Sequence, residues 1–301
     1  MSHKKIFLKD IDMDKKFKTS LMVMKKIHRD SNMTTYILTD KSEQIKARIP
    51  NKFKLKPGQV IEVESKKEPT MDEVKNIEII SENYELDDYL PAVKRSIEEI
   101  MFDIENLTYE YIKSDDAKKL NDFFFKDEEF SDKFKKGIGG VSMHHNYIGG
   151  LAEHTLGVMY LTKILCEKYG CKNIEIAMLS AKLHDIGKLY ELDFNGPFKY
   201  TLQGELEGHI VIGIQLIDRA INDMKHDFNE EFVRRIKGCI VQHHGKLEYG
   251  SPRECNMEEA FILNFADGID ATMNKIEQIK TNSKSNGWSD YDRRIDTKLY
   301  L

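Results

Sequence analysis

A handful of histidines and aspartates constrains this chain more than any other feature. His154, the adjacent pair His184 and Asp185, His209, the doublet His243-His244 and Asp267 follow one another at wide intervals. Neutral imidazole and carboxylate together suit a divalent cation, and an aspartate beside a histidine can bridge two of them. A fold that gathers residues so far apart must bring several segments to one point. A bundle of helices does so by projecting side chains from facing helices into its interior.

The apolar spacing supports this reading. From Gly150 onward the pattern is helical over 151–169, 174–189, 206–223, 230–243 and 258–280, with apolar residues recurring three and four apart. Each candidate ligand falls near an end or on one face of a different expected helix. Gly187 marks a helix end just after His184-Asp185, and Lys188, four residues from His184 and three from Asp185, would share their face. Asp267 lies inside the apolar run 260–271, where a carboxylate needs a partner. Seven such groups exceed what one structural ion requires. Two ions about 3.5 to 4 Å apart would use them without leaving charges buried and unpaired.

The first part of the chain has a different period. Between positions 17 and 80, apolar residues alternate in short runs: Leu21, Val23 and Ile27; Tyr36 and Leu38; Ile45, Ala47 and Ile49; Ile61 and Val63; Ile77 and Ile79. Turn-forming residues separate them, including Asp30-Ser31-Asn32, Pro57-Gly58 and Pro69-Thr70. Five short strands predict a small barrel of the oligonucleotide/oligosaccharide-binding (OB) type, whose strand 2 and 3 face receives nucleic acid. Tyr36, Lys46 and Arg48 are the candidate contacts there. The expected architecture is a multidomain α and β chain: a nucleic-acid-binding barrel over 1–85, a helical linker region over 86–135, an all-α metal-dependent phosphohydrolase domain over 136–281 and a tail over 282–301. Pro91 is expected to open a helix running to about Ser114, followed by a second over 116–125. The tail holds the only tryptophan, Trp288, and reads equally as a docked segment, a dimer contact or a disordered end.

Charge follows the same division. Residues 1–82 carry 18 Lys+Arg against 13 Asp+Glu, and the remainder 28 against 38, so a basic module that could attract a polyanion precedes an acidic one that could hold cations. The longest apolar stretch, 210–217, is too short for a bilayer core of about 30 Å. The amino terminus lacks the apolar run of a secretory signal, so the cytoplasm is the expected compartment. The four cysteines, Cys166, Cys171, Cys239 and Cys255, form no CxxC pair and are expected as reduced thiols.

Longer motifs sharpen the picture. The segment from His144-His145-Asn146-Tyr147 through Glu153-His154-Thr155, the core His184-Asp185-Ile186-Gly187-Lys188, the doublet His243-His244-Gly245 with Glu248-Tyr249-Gly250-Ser251-Pro252 after it, and Asp267-Gly268-Ile269-Asp270-Ala271 resemble the HD superfamily, specifically the bacterial YhaM-type 3′-to-5′ exoribonucleases, which also carry an amino-terminal OB-fold. The stretch 136–143 ahead of His144 is richer in glycine than that family's pattern. The resemblance implies that His154, His184, Asp185 and Asp267 hold one ion and that His209, His243 and His244 hold a second, with Asp185 bridging. It also implies self-association and single-stranded RNA as substrate, with single-stranded DNA as a second one.

In such a site Asp185 would help position a water in line with phosphorus. Lys188 would add positive charge against a phosphate, and His144 or His145 would hydrogen-bond a phosphate or the leaving group. A mixed His and Asp shell suits Mn²⁺ first, then Fe²⁺ or Mg²⁺. One rival reading is a phosphodiesterase for a small cyclic nucleotide, against which the segment after His243-His244 lacks a Gly-Tyr-Pro signature. The other is a non-catalytic single-stranded nucleic-acid-binding protein.

Overall fold

The amino-terminal alternation forms strands because β-branched and aromatic side chains at every second position cover one face of a pleated sheet. In the computed structural model these are β1 (Lys16–Arg29), β2 (Met33–Thr39), β3 (Gln44–Pro50), β4 (Val60–Lys66), β5 (Thr70–Met71) and β6 (Lys75–Ile80). The structure describes residues 4, 6–12, 14–68, 70–71, 74–80, 84–141, 144–283 and 287–301. The sheet order is β5-β3-β2-β1-β4-β6. β1 pairs with β4 through Lys16 to Met22 and with β2 through Met22 to Arg29. Two register shifts in its second half, after Val23 and after Lys26, bend the strand as bulges do and let one long strand serve both neighbours.

Six strands stand where five were expected. The added one is β5, a two-residue strand parallel to β3, and β6 then pairs antiparallel with β4. The fifth expected strand, at Ile77 and Ile79, is β6, while β5 falls where Pro69-Thr70 marked a turn, and the two lie at opposite edges of a curled half-barrel. Its interior is apolar: Leu21, Val23, Leu38, Ile45, Ala47, Ile49, Ile61 and Val63 are all buried. Tyr36 belongs to this core at 4% exposure. That corrects its expected place on a nucleic-acid face, because the alternation that buries Leu38 and Thr34 also turns Tyr36 inward. Lys46 and Arg48 point the other way, between the buried Ile45, Ala47 and Ile49. Pro69, from one expected turn, and Ser142 and Met143, from the glycine-rich stretch, lie outside the described residues.

The helical part comprises α1 (Ile97–Tyr111), α2 (Asp115–Phe125), α3 (Glu128–Lys136), α4 (Gly150–Tyr169), α5 (Ile174–Leu183), the single turn α6 (Lys188–Glu191), a two-stranded ribbon of β7 (Leu192–Asp193) and β8 (Lys199–Tyr200), α7 (Leu202–Asp223), α8 (Glu230–Gln242) and α9 (Glu258–Asn282). Pro91 does not open α1. The Val93 N–H donates to Ile148 O at 2.8 Å, which holds this stretch extended and defers the helix to Ile97. α2 starts where Ser114 accepts from Ala117 N, and the unanticipated α3 starts where Asp127 accepts from Phe130 N. With only Phe130 and Phe134 buried in α3, its apolar stripe is too sparse to read from sequence.

α4 packs against α1, α5 and α9, and α5 also packs against α8 and α9. The chain thus divides into two units, Met1–Ala92 with Asp193–Lys199 and Val93–Leu192 with Tyr200–Leu301. The tail is docked within the second. Bridges between Trp288 and Tyr300 and between Asp292 and Thr297 fold it back on itself, and Arg294 Nη1 donates to Gln278 Oε1 on α9 at 2.6 Å. All four cysteines are free thiols. No helix among the described residues is long and apolar enough to cross a membrane.

Candidate metal centre

α4, the turn after α5, α7, the end of α8 and α9 each deliver ligand-type side chains to one place. α5 ends at Leu183, and His184-Asp185 fall in the turn before α6 rather than on a continuous helix, so adjacent side chains converge. His154 Nε2 lies 3.4 Å from Asp185 Oδ2 and 3.2 Å from Asp267 Oδ1. His184 Nε2 is 3.3 Å from the same Asp185 Oδ2. The other oxygen of Asp185 faces a second set: Oδ1 is 3.6 Å from His209 Nε2 and 3.9 Å from His243 Nε2, and His244 Nε2 approaches His209 Nε2 to 3.3 Å. One carboxylate therefore stands between two groups of imidazoles. His154, His184 and Asp185 can each offer a ligand atom within 4.8 Å of the others, and so can His209, His243 and His244.

Every one of the five histidines commits its Nδ1–H elsewhere. His154 donates to Asp270 Oδ2 at 2.7 Å, His184 to Ala181 O at 2.9 Å and His209 to Glu191 Oε1 at 3.1 Å. His243 donates to Ile240 O at 2.7 Å and His244 to Tyr249 O at 2.9 Å. Such partners fix the tautomer and leave each Nε2 as a lone pair aimed inward, the arrangement that outer contacts impose on metal-binding histidines. His154 Nε2 and His184 Nε2 approach each other to 3.3 Å. Among the described residues, buried Asp185 Oδ1 and His243 Nε2 have no hydrogen-bond partner, a costly state unless a cation satisfies them. The residues present fit a divalent-metal centre.

Electrostatics agree. Burial penalises a charged Asp185, yet Lys188, His184 and His154 outweigh it and hold the carboxyl well below the usual range. Burial likewise disfavours a charged His154, but Asp185, Asp267 and Asp270 raise it well above an ordinary histidine. That pocket demands positive charge. Burial first, then neighbouring cations and imidazoles, pushes His145, His243 and His244 down and His144 down to about 3.

Lys188 sits on the ligand face with its Nζ 2.7 Å from Asp185 Oδ2. His144 and His145 form a further cluster with His154. His145 is held by Asn274, which accepts from its backbone N–H at 2.9 Å. Lys46 and Arg48 are not part of this centre. Arg48 pairs with Asp30 at 3.2 Å on the barrel.

Sequence reasoning passed over the orienting groups. Asp270 was visible as part of the Asp267 motif and lies one turn further along α9, the spacing that puts both carboxylates near one histidine. Gly157 makes room for it, since a Cβ there would stand 2.0 Å from Asp270 Oδ1. Glu191 accepts from both the backbone N–H and the ring of His209, and Asn264 Nδ2 donates to His243 O at 2.7 Å. No spacing rule points to either.

Residues 151–272 match the HD domain family. That match lies within the helical part of the chain. The chain is 30% identical over 207 residues to a 3′-5′ exoribonuclease YhaM of Bacillus subtilis (strain 168), an alignment covering 68% of this chain and 64% of that protein. It is 29% identical over 193 residues to the protein of the same name from Bacillus velezensis, covering 64% and 60%, and 32% identical over 194 residues to that of Geobacillus sp. (strain WCH70), covering 64% and 57%. It thus spans less than two thirds of the length of each of these three relatives. No solved structure matches the chain. Within the matched stretch, His184-Asp185 occupy the shared corner of both imidazole groups.

Proposed function

We propose that this chain is a metal-dependent 3′-to-5′ exoribonuclease that hydrolyses phosphodiester bonds of single-stranded RNA. The observation that carries the reading is Asp185, whose Oδ2 faces His154 and His184 while its Oδ1 faces His209 and His243. In this reading His154, His184, Asp185 and Asp267 hold one ion, and His209, His243 and His244 share Asp185 in holding a second, with Mn²⁺ the first candidate. When bound, divalent ions supply Lewis acidity, which activates water toward phosphorus and offsets charge developing on phosphate oxygens.

The chain's own side chains supply the rest. Lys188 keeps its charge, because Asp185 outweighs the burial that disfavours the ammonium, and it offers that charge to a phosphate beside Asp185. His144, neutral above about pH 3, donates a hydrogen bond to the leaving group rather than a full proton. His145 backs it, with its ring 3.5 Å from Asp270. On the barrel, outward-facing Lys46 is paired across the sheet with Ile37, which is paired in turn with Lys25, and Arg48 is paired with Thr35. This row of cations and an apolar side chain would track a single strand by phosphate contact and stacking. Polarity and preference for RNA are taken from the named relatives.

The test is purified protein with a 5′-labelled single-stranded RNA and Mn²⁺. A ladder of shortening products that disappears in Asp185→Ala supports the reading. An intact, shifted band would assign the chain to binding without hydrolysis.

A further inference from the structure

A groove of about 870 Å³ runs along α9 and is continuous with the metal centre, since Asp267, His144 and His244 line it together with Phe265, Lys275 and Arg294. Four features set it apart from an ordinary apolar cleft. Phe265 and its groove neighbour Ile269 are 56% and 45% exposed on a helix whose other face is buried. Lys275 follows Asp267 by two helical turns on the same face, about 12 Å of axis, and makes no ion pair among the described residues; burial lowers its affinity for a proton, with Asp267 the largest opposing influence. Arg294 is brought to the same end of the groove by the docked tail, which fixes it through Gln278 and through Asp292 at 2.7 Å.

Gly268 is the most telling. It sits inside α9, where glycine weakens a helix relative to alanine, yet a Cβ there would meet nothing within 4 Å. Packing does not require it. Its absent side chain instead leaves a bare strip of backbone between the metal ligand Asp267 and the exposed Ile269.

We propose that this groove seats the 3′-terminal nucleotides of the substrate. Gly268 lets the sugar–phosphate chain lie against α9, Phe265 stacks on a base, and Lys275 with Arg294 meets a phosphate upstream of the one being cleaved. The assignment rests on the exoribonuclease reading above. A second copy of the chain is the poorer occupant, because it would cover Asp267, His144 and His244 and close the metal centre to any substrate.

The test uses the full-length protein with Mn²⁺ and a fluorescein-labelled hexaadenylate whose phosphorothioate linkages resist hydrolysis, read by anisotropy. Gly268→Leu, which adds a helix-favouring side chain, should keep or raise the thermal midpoint while weakening binding about tenfold, a loss within the range of one stacking contact. Lys275→Met should weaken it several-fold and flatten its salt dependence, and Lys275→Arg should restore both. If wild type shortens RNA but both variants bind like wild type, the groove assignment is wrong and the nuclease stands. If wild type shortens nothing yet the variants still lose binding, the nuclease reading fails and the groove survives. Unchanged binding with a shifted sedimentation coefficient would give the face to a second copy instead.

Discussion

At the residue scale the site is an arrangement of imidazoles whose outward nitrogens are all spoken for. Asp270 illustrates the consequence: it fixes the His154 ring through Nδ1, so Asp270→Asn should lower Mn²⁺ affinity about 10- to 100-fold, measured by calorimetric titration, with activity recovered at high Mn²⁺. Gly157→Ala should mimic it, because its Cβ would displace that carboxylate; equal affinity in both variants and wild type would remove Asp270 from its positioning role. Acid should act through the neutral imidazoles. A histidine whose folded pKa is depressed binds a proton in the unfolded chain below about 6.5 that the fold declines. His144, held down to about 3 by burial, therefore withdraws stability as pH falls from about 6.5 towards 3, and none above. Chelator-treated protein should show a urea midpoint that drops between pH 7 and 5, with a smaller drop in His144→Gln. The ligand-type residues were legible because histidine and aspartate announce metal chemistry by type alone. Glu191 and Asn264 were not, since their role exists only once α6, α7 and α9 are packed.

At the scale of elements, the breaks matter as much as the helices. α7 is interrupted at Gly208, with φ 72° and ψ 157°, and the next residue is the candidate ligand His209. Only glycine adopts that backbone freely, so Gly208→Ala should cost about 1–3 kcal/mol of stability by urea denaturation and turn His209 from its place. α5 is anchored differently. Lys182 is buried, and its Nζ donates to Glu105 Oε1 at 2.8 Å and Thr108 Oγ1 at 2.9 Å on α1 and to Asn121 Oδ1 at 2.8 Å on α2. Lys182→Met takes this donor from the buried Thr108 and Asn121 and should destabilise the protein by about 1–3 kcal/mol; an unchanged midpoint would show the network to be dispensable. The helical period made α4, α8 and α9 readable to within a few residues. The period could not reveal the turn at 184–187, because Ile186 and Leu189 continue the apolar spacing across it, nor Lys182, which in sequence is one lysine among many.

For the whole molecule, the switch from two-residue to helical periodicity near position 82 was enough to predict a barrel followed by a helical body. Strand order was beyond it, since pairing of β3 with β5 and of β4 with β6 is set by the curl of the sheet rather than by any one run. The barrel's contribution is testable by charge: in the full chain, Lys25→Ala with Lys46→Ala should reduce affinity for long single-stranded RNA and lower the slope of log affinity against log salt by about 0.7 for each phosphate no longer neutralised. An unaltered slope would leave the outer sheet face without a role in gripping RNA. Point substitutions suit this question better than truncation. The polypeptide changes unit at 92/93, at 192/193 and again at 199/200, so the first unit is assembled from two separate stretches of chain. Excising the leading segment would strand 193–199, a few residues from Glu191, without the rest of its unit, and a shortened protein that failed would report that loss as readily as a weakened hold on RNA.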